Sequence, residues 1–346
     1  MSWNHVVKFG GSVVAAALCF GAQAAGNGIV TKVSIDKQTL GASDDVVVKV
    51  TMTNTTSQPQ QILKWDTPFG DIEHSLFDVT RDGVPVPYEG MIAKRPAPAA
   101  SDYFTIQPGK SHTVQIELSS MYNMSVTGEY KIRYKAKGSN KNKQAEDLTS
   151  DAVTVYIEGA LRRGVMPEAQ PVQSLAGGSL SYSKCSASQQ STISSAVAAG
   201  TAMASDGDAY LAAGKAGTRY TKWFGAYTSA RYNTAKSHFA AIKDAFQNKP
   251  ITVDCSCNKT YYAYVYPTQP YKIYVCKAFW SAPMTGTDSK GGTLVHEMSH
   301  FNVVAGTDDH VYGQSGAAQL AITDPDTALD NADSHEYFGE NTPAGN

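Results

Sequence analysis

The stretch HEMSHFNVVAGTDDHVYG, residues 296–313, determines how the second half of the chain is interpreted. On a helix, residues four apart lie on the same face, so His296 and His300 can bind one metal ion together. Glu297 lies to one side of that pair and can accept a proton from a water molecule that zinc activates. This HExxH pattern therefore predicts a zinc-dependent hydrolase.

The same five residues also arise by chance, as two histidines and a glutamate on an exposed helix. Here they follow the apolar run GGTLV, and GGTLVHEMSHFNVV, residues 291–304, is predicted to be helical throughout. This lead-in, together with a signal-peptide layout and cysteines suited to disulfides, favours the enzyme.

The third metal ligand separates the classes of zinc peptidase. Val303 stands where the longer pattern HExxHxxGxxH requires glycine, which excludes the metzincin class. A gluzincin-like peptidase would use a glutamate from a later helix, and Glu336 lies at a suitable distance along the chain. The residues themselves leave several other candidates open, namely Asp308, Asp309, His310 and His335.

GTDDHVYG, residues 306–313, resembles the GTxDxxYG signature of the deuterolysin-like metalloendopeptidases, the aspzincins, which are related to peptidyl-Lys metalloendopeptidases. NADSHEYF at 331–338 is also similar to that family, and residues 185–338 as a whole resemble its catalytic domain. KWDTPFGDI at 64–72 and DGVPVPYEGMIAKRPAP at 82–98 resemble the family's pro-region. The resemblance implies a metalloendopeptidase that binds one zinc ion per chain and acts on proteins or peptides.

Matched residue by residue, the resemblance implies that Asp309 is the third zinc ligand, whereas Asp308 occupies a free position of the signature. Gly306 permits a sharp turn that returns a carboxylate to the metal. Tyr312 is expected to donate a hydrogen bond to the oxyanion of the tetrahedral intermediate, although simple packing is the alternative. Thr307 either orients a neighbour of the metal or stabilises the turn with its hydroxyl.

Asp333 and Glu336 share a helix face if their segment is helical. Without the resemblance, the two carboxylates would be interpreted as an acidic, solvent-exposed edge of that segment. The resemblance implies that they form an acidic pocket for lysine at P1′, the residue that contributes the nitrogen of the scissile bond. The tyrosine-rich segment 261–274 suggests a strand edge that could pair with an extended substrate, although it suits a half-buried strand equally well.

The amino terminus has the layout of a signal peptide. Lys8 precedes the apolar run VVAAALCFGA at 13–22, and AQA at 22–24 predicts cleavage after Ala24. The run is shorter than the roughly 20 residues that a membrane-spanning helix needs, which argues against a stable anchor. The net charge of −2 favours neither nucleic acid nor an anionic membrane as partner. We therefore expect a secreted protein.

Cleavage after Ala24 would leave four cysteines, an even number that predicts two disulfides in an exported chain. Cys255 and Cys257 are two residues apart in an apparent strand, so their side chains share a face and each is expected to bond elsewhere. CxC without a second close pair fits a thiolate metal site poorly. The family's spacing implies the pairs Cys185–Cys255 and Cys257–Cys276.

Composition changes near residue 160. Short alternating runs separated by turns predict an immunoglobulin-like β-sandwich over residues 25–160, without the disulfide of that fold. Residues 161–180 are predicted to be a linker that contains the maturation cleavage site. Helical and strand patterns over 181–346 predict an α+β zinc peptidase domain.

A peptidase with an open zinc site would endanger its producer, so the pro-domain is expected to inhibit its own catalytic domain. GMIAKRPAP at 90–98 carries Lys94 and Arg95, and a basic side chain on this loop is suited to plug an acidic pocket. Ordinary loop charge is the alternative interpretation. A different class of function also remains open, a non-catalytic secreted binding protein whose metal is structural, and Glu297 argues against it because such a site has no use for a general base.

Overall fold

A computed structural model describes residues 28–139, 145–159 and 178–345. The predicted signal peptide lies outside these residues, as does the predicted linker except for its last three residues. Across the described chain, no helix combines the length and the apolar character that crossing a bilayer requires.

The amino-terminal region is built of strands and two short 3₁₀ helices at Lys64–Asp66 and Ala100–Asp102. Alternation of buried and partly exposed side chains, as at Val48, Val50 and Met52, matches the two-residue period of a sheet with one face in the core. The strands are β1 Ile29–Ile35, β2 Thr39–Leu40, β3 Val47–Asn54, β4 Gln60–Leu63, β5 Phe77–Arg81, β6 Val84–Pro85, β7 Ile92–Lys94, β8 Tyr103–Ile106, β9 Ser111–Glu117, β10 Gly128–Ser139, β11 Ala145–Thr149 and β12 Val153–Ile157.

Two sheets share one hydrophobic core in this region. One has the order β1-β3-β9, and the other has the order β2-β12-β10-β5-β6 with β11 paired to β10. Strands β4 and β8 form a separate antiparallel pair. The prediction of a β-rich amino-terminal region is confirmed.

The carboxy-terminal region is α+β, as predicted. Its strands are β13 Leu180–Ser183, β14 Ile251–Asp254, β15 Ala263–Val265 and β16 Lys272–Val275. Its helices are α1 Ala187–Ala212, α2 Thr218–Phe224, α3 Ser229–Asn248, α4 Lys277–Ser281, α5 Lys290–Ser299, α6 Gln314–Thr323, α7 Pro325–Leu329 and α8 Ala332–Glu340.

One strand of the amino-terminal region joins the sheet of the other region, whose order is β13-β14-β16-β15-β7. Strand β7 runs antiparallel to β15, with Lys94 opposite Ala263 and Ile92 opposite Val265. The two regions are separate in sequence, with a boundary near residue 160. Backbone hydrogen bonds between β7 and β15 nevertheless join them. The segment predicted as a loop at 90–98 contains this strand.

Disulfides join Cys185 to Cys255 and Cys257 to Cys276, the pairs that the resemblance implied. The geometric reason offered from the sequence was wrong, because β14 ends at Asp254 and both Cys255 and Cys257 follow it. Both bridges lie within the carboxy-terminal region.

Helix α5 is buried along its whole length, and two adjacent glycines make that possible. A Cβ at Gly291 would lie 2.9 Å from the Cβ of Ala199 on α1, and one at Gly292 would overlap the carboxylate of Glu340. The hydroxyl of Ser289 caps the helix by accepting from the Gly292 amide. The helix ends at Ser299, earlier than predicted, although His300 keeps helical dihedral angles.

Candidate active site

Three side chains meet at the carboxyl end of α5 and are here called the metal cluster: His296, His300 and Asp309. The Oδ1 atom of Asp309 lies 3.2 Å from His296 Nε2 and 3.6 Å from His300 Nε2. All three side chains have no exposed surface. Helical spacing brings the two imidazoles together, and the turn after the helix brings the carboxylate back to them.

That turn depends on local backbone geometry. Gly306 has a φ of 62°, in the left-handed region that glycine adopts most easily. The Thr307 amide donates to the carbonyl oxygen of Ser299 at 3.1 Å, and the two hydroxyls lie 2.6 Å apart. The carbonyl oxygen of Thr307 lies 2.7 Å from His300 Nδ1 and can accept its proton. Thr307 therefore both orients His300 and stabilises the turn.

The metal cluster has the donor set that zinc prefers. His296 Nε2, His300 Nε2 and Asp309 Oδ1 are buried and have no hydrogen-bond partner among the described residues, although they lie close together. Because Thr307 engages Nδ1 of His300, the lone pair on Nε2 remains free for a metal. Two imidazoles and one carboxylate that converge without hydrogen bonds between them fit a cation, and they leave a fourth position for water.

The charges of the metal cluster side chains depend on one another. Burial would lower the pKa of His296, but the Asp309 carboxylate raises it well above its usual value. Burial would raise the pKa of Asp309, but His296 and His300 lower it well below the usual range. Burial lowers the pKa of His300 to about 4, so this imidazole is neutral at physiological pH and available as a ligand.

Glu297 lies beside the metal cluster and is fully buried. Neither of its carboxylate oxygens has a hydrogen-bond partner in the described chain. Burial raises the pKa of Glu297 to about 8. A carboxylate in such surroundings can accept and return a proton near neutral pH, which is what a general base requires.

Tyr312 extends its hydroxyl towards the same site. The oxygen lies 3.0 Å from Asp309 Oδ2 and 3.0 Å from the carbonyl oxygen of Ala93 in β7. Burial and the neighbouring carboxylate of Asp309 raise the pKa of Tyr312 well above its usual value, so the phenol keeps its proton as a donor. The contact with a peptide carbonyl distinguishes this tyrosine from one that only packs.

A second group of carboxylates lies on the opposite side of the His296 ring and is here called the lysine pocket: Asp333, Glu336 and Asp288. The Nζ atom of Lys94 occupies it, 3.3 Å from Asp333 Oδ1, 3.9 Å from Asp288 Oδ1 and in close contact with Glu336 Oε2. Burial would lower the pKa of Lys94, but these carboxylates raise it well above its usual value.

The two carboxylates on α8 are not equivalent. Burial would raise the pKa of Asp333, but Lys94 and His296 lower it below its usual value. Burial raises the pKa of Glu336, and Lys94 offsets only part of that effect. Asp333 also accepts from the Gly313 amide at 2.6 Å and lies 2.9 Å from His296 Nδ1, so it contacts both clusters.

The gluzincin-like alternative does not match this geometry. Glu336 Oε2 approaches His296 at Nδ1, at 3.5 Å, whereas Asp309 meets the Nε2 atoms of both histidines. The group of potential ligands that contains Glu336 includes Asp333 and His296 but not His300. Glu336 therefore belongs to the lysine pocket.

Asp288 is a member of the lysine pocket that sequence reasoning missed. It precedes α5 with a φ of 51°, and its amide donates to Glu340 Oε2 at 3.2 Å. The Tyr337 hydroxyl donates to Asp288 Oδ1 at 2.7 Å and so turns the carboxylate towards the pocket. Asp288 lies in no sequence motif. Its role could not be predicted from the sequence because helix α8, which is distant along the chain, orients its side chain.

Arg95 does not enter the lysine pocket. Its guanidinium forms an ion pair with Glu73, also of the amino-terminal region. The group lies 4.9 Å from the ring centroid of Trp65 and 5.1 Å from that of Tyr261. The two basic residues therefore differ in role, since Lys94 fills the pocket and Arg95 holds the segment beside it.

The remaining histidines of the motif region have other partners. His310 Nε2 lies 2.7 Å from Asp330 Oδ2, at a partly exposed group that also includes Asp308. His335 is a buried residue of α8, with Nε2 2.9 Å from His238 Nδ1. Neither His310 nor His335 is part of the metal cluster.

The chain is similar in sequence to known extracellular and lysine-specific peptidases. Residues 209–340 match the sequence profile of the aspzincin family, described as lysine-specific metallo-endopeptidases. The chain is 50% identical over 315 residues to an "extracellular protease" of Aeromonas hydrophila, covering 88% of this chain and 91% of that protein. It is 37% identical over 325 residues to a "peptidyl-Lys metalloendopeptidase" of Armillaria mellea, again covering 88% and 91%.

Among solved structures, a zinc peptidase from Grifola frondosa matches 47% of this chain and the whole of its own chain. The sequence identity is 45% and the TM-score is 0.45.

Proposed function

The chain belongs to the aspzincin family of metalloendopeptidases, and we propose that it is a secreted zinc endopeptidase, made as a latent precursor, that prefers lysine at P1′. The convergence of His296, His300 and Asp309 on one point, with no hydrogen bond between them, is the observation that carries the proposal. Secretion rests on the signal-peptide layout of residues 1–24 and on the extracellular relative.

In this proposal His296, His300 and Asp309 hold the zinc ion, which would supply Lewis-acid activation of water at neutral pH. Glu297 accepts a proton from the attacking water and delivers it to the leaving amine. The Tyr312 phenol donates a hydrogen bond to the carbonyl oxygen as negative charge develops on it. Its 3.0 Å contact with the Ala93 carbonyl supports this role.

The preference for lysine is supported by the lysine pocket. Asp333 and Glu336 are buried, and two buried carboxylates need a cation close by to offset their desolvation. The ammonium group of Lys94 meets this need in the precursor. A substrate lysine offers the same group at the end of the same flexible stem, whereas an apolar P1′ residue would leave the carboxylates unpaired.

Latency is supported by the way in which the amino-terminal region covers the cleft. Strand β7 pairs with β15, the edge at which an extended substrate could add as a strand, and Lys94 fills the lysine pocket. We propose that residues 25–160 are an immunoglobulin-like pro-domain, that residues 161–180 contain the maturation site, and that Lys94 is the inhibitory side chain. Arg95 supports it through Glu73.

A non-catalytic binding protein with a structural metal is the alternative from a different class. Glu297 argues against it, because a buried carboxylate without a hydrogen-bond partner in the described chain costs stability and serves no structural purpose.

The test is the substitution Glu297→Gln, which preserves side-chain shape but cannot accept a proton. It should leave zinc bound at one ion per chain, while hydrolysis of casein falls by about 100-fold to 10,000-fold, the range for general acid–base groups. Glu129→Gln, on an exposed strand position of the amino-terminal region, is the matched control and should behave as wild type. Full hydrolysis by the Glu297→Gln protein would contradict the proposal.

Maturation can be followed on the same samples. If it is autocatalytic, the Glu297→Gln precursor should accumulate uncut, and amino-terminal sequencing of the secreted protein will identify the bond. Normal processing of this variant would indicate that another protease matures the chain.

A further inference from the structure

The peptide bond between Ala93 and Lys94 crosses the active site in the manner of a substrate. The carbonyl oxygen of Ala93 lies 3.0 Å from the Tyr312 hydroxyl, and Lys94 Nζ lies in the lysine pocket. Both residues have no exposed surface. The carbonyl on one side of the bond and the side chain on the other therefore contact the groups that would bind a P1 carbonyl and a P1′ lysine.

The backbone on both sides of the bond is held in an extended conformation. The carbonyl oxygen of Lys94 accepts from the Tyr262 amide at 3.0 Å, and Ala93 is paired with Tyr264 across the antiparallel ladder. The Ala93 amide donates to the carbonyl oxygen of Glu73 at 3.2 Å. An extended strand added to an enzyme's edge strand is how peptides commonly bind such edges, so this segment is presented as a substrate would be.

We propose that Ala93–Lys94 is a bond that this chain's own active site hydrolyses in the intact precursor, an inference that rests on the proposed function. Water adds to the carbonyl carbon of Ala93 while Glu297 accepts a proton. The C–N bond then breaks, and that proton passes to the nitrogen of Lys94. The proton of the added hydroxyl also passes to that nitrogen, so one water is consumed and the products are the Ala93 carboxylate and the Lys94 α-ammonium group.

The cut does not by itself release the inhibitory segment, because each new end is held by contacts that do not involve the broken bond. Lys94 keeps its ion pairs with Asp333 and Glu336, and Arg95 keeps its pair with Glu73 and its stacking on Tyr261. The two ends therefore stay adjacent, so resynthesis of the bond competes with hydrolysis. A cut precursor that remains latent is the expected state.

The positions of the cysteines make such a cut easy to detect. Residues 25–184 contain no cysteine, and both disulfides lie between residues 185 and 276. Denaturation should therefore separate a fragment that ends at Ala93 from one that begins at Lys94, without reduction. Chemical labelling of α-amines followed by mass spectrometry identifies the new terminus.

The experiment incubates purified full-length precursor with zinc and follows the new amino terminus at residue 94, whichever residue stands there, over time. The terminus should appear in the wild type, be absent in Glu297→Gln and Lys94→Met, and form in Lys110→Met, which alters an exposed lysine away from the site. Its rate should not change on ten-fold dilution, because the fully buried Lys94 is presented only to its own active site. Absence of the terminus in the wild type, or a rate that falls with dilution, would overturn the inference.

The same preparation separates this inference from the proposed function. Mature enzyme from the same chain is assayed on an external peptide with one internal lysine. Cleavage of that peptide at lysine without any Lys94 terminus in the precursor overturns the inference and leaves the proposed function intact. Failure to cleave the external peptide would instead refute the proposed function.

Discussion

The two sides of the His296 ring make an informative comparison. On the Nε2 side lies the metal cluster, where Asp309 Oδ1 is buried without a hydrogen-bond donor in the described chain. On the Nδ1 side lies the lysine pocket, where Lys94 neutralises Asp333 and Glu336, which are equally buried. The His296 ring alone separates these two anionic sites. The sites differ in the source of the cation that balances their charge.

That difference follows from the cost of burying charge. A carboxylate in a protein interior needs a counter-charge or a proton. In the lysine pocket Lys94 of the same chain provides the cation, and under the proposed function a substrate lysine would replace it. In the metal cluster the described chain provides two imidazoles and a phenol but no lysine or arginine, so a metal cation would have to come from solution. One site is thus suited to an exchangeable organic cation and the other to a resident metal.

The largest effect is expected from Asp309→Ala, which removes the carboxylate that meets both imidazoles. Zinc affinity, measured by competition with a chelator, should fall by more than about 100-fold, the upper end of the loss for outer-shell partners. Asp308→Ala is the matched control, since its backbone rather than its side chain pairs with Asp330 and Ala332, and it should change affinity only a few-fold. The reverse ranking would show that the metal cluster is wrongly assigned.

A smaller effect is expected from Lys94→Ala. It should change peptide binding on the Nδ1 side of the His296 ring. Removing one partner of a buried ion pair costs about 3–5 kcal/mol, and the vacated pocket becomes open to a ligand. In a Glu297→Gln precursor, a fluorescent lysine-containing peptide should bind at least about ten-fold more tightly, or about 1.4 kcal/mol, when Lys94 is absent.

Arg95→Ala in the same background is the control for Lys94→Ala. It removes a neighbouring positive charge but leaves the lysine pocket filled, so peptide binding should stay close to that of the parent precursor. Equal gains from the two substitutions would indicate that general loosening of the segment, rather than the pocket, controls access.

Asp333 touches both clusters, so Asp333→Asn tests whether they are independent. In the mature enzyme it should lower kcat/KM for P1′ lysine and also weaken zinc binding by about 10-fold, as loss of an outer-shell carboxylate does. Glu336→Gln should lower only the preference for lysine over alanine at P1′. If Glu336→Gln weakened zinc binding as strongly as Asp333→Asn, the two-cluster description would fail.

The smallest effect is expected from Asp288→Asn. The side chain is 40% exposed and lies 3.9 Å from the ammonium group, and exposed ion pairs contribute about 0.2–1 kcal/mol. Kcat/KM for a P1′ lysine substrate should therefore fall about two- to five-fold with zinc affinity unchanged. Asp244→Asn, on a solvent-facing part of α3, is the control. If kcat/KM fell further in Asp288→Asn than in Glu336→Gln, Asp288 would be the principal carboxylate of the lysine pocket.

Local patterns predicted the parts of the site that lie close together in the chain. His296, Glu297 and His300 are related by helix geometry, and Asp309 follows after a turn for which Gly306 provides the conformation. The strands of the amino-terminal region were predictable for the same reason, because alternation of apolar residues follows directly from the pleat of a sheet. The helix end at Ser299 was missed, since apolar residues continue beyond it.

The sequence by itself placed His296, Glu297 and His300 on one helix and indicated the class of each region, because these depend on spacings of a few residues that backbone geometry constrains. The choice of Asp309 as third ligand came from the family resemblance, since the residues alone left other candidates open. Only the tertiary structure decided that β7 joins the β13–β16 sheet, that Lys94 rather than Arg95 enters the lysine pocket, and that Asp288 belongs to it. The hydrogen bond between Lys94 and Asp333 spans 239 residues. No periodicity encodes such a contact, since it depends on how two separately patterned regions pack against each other.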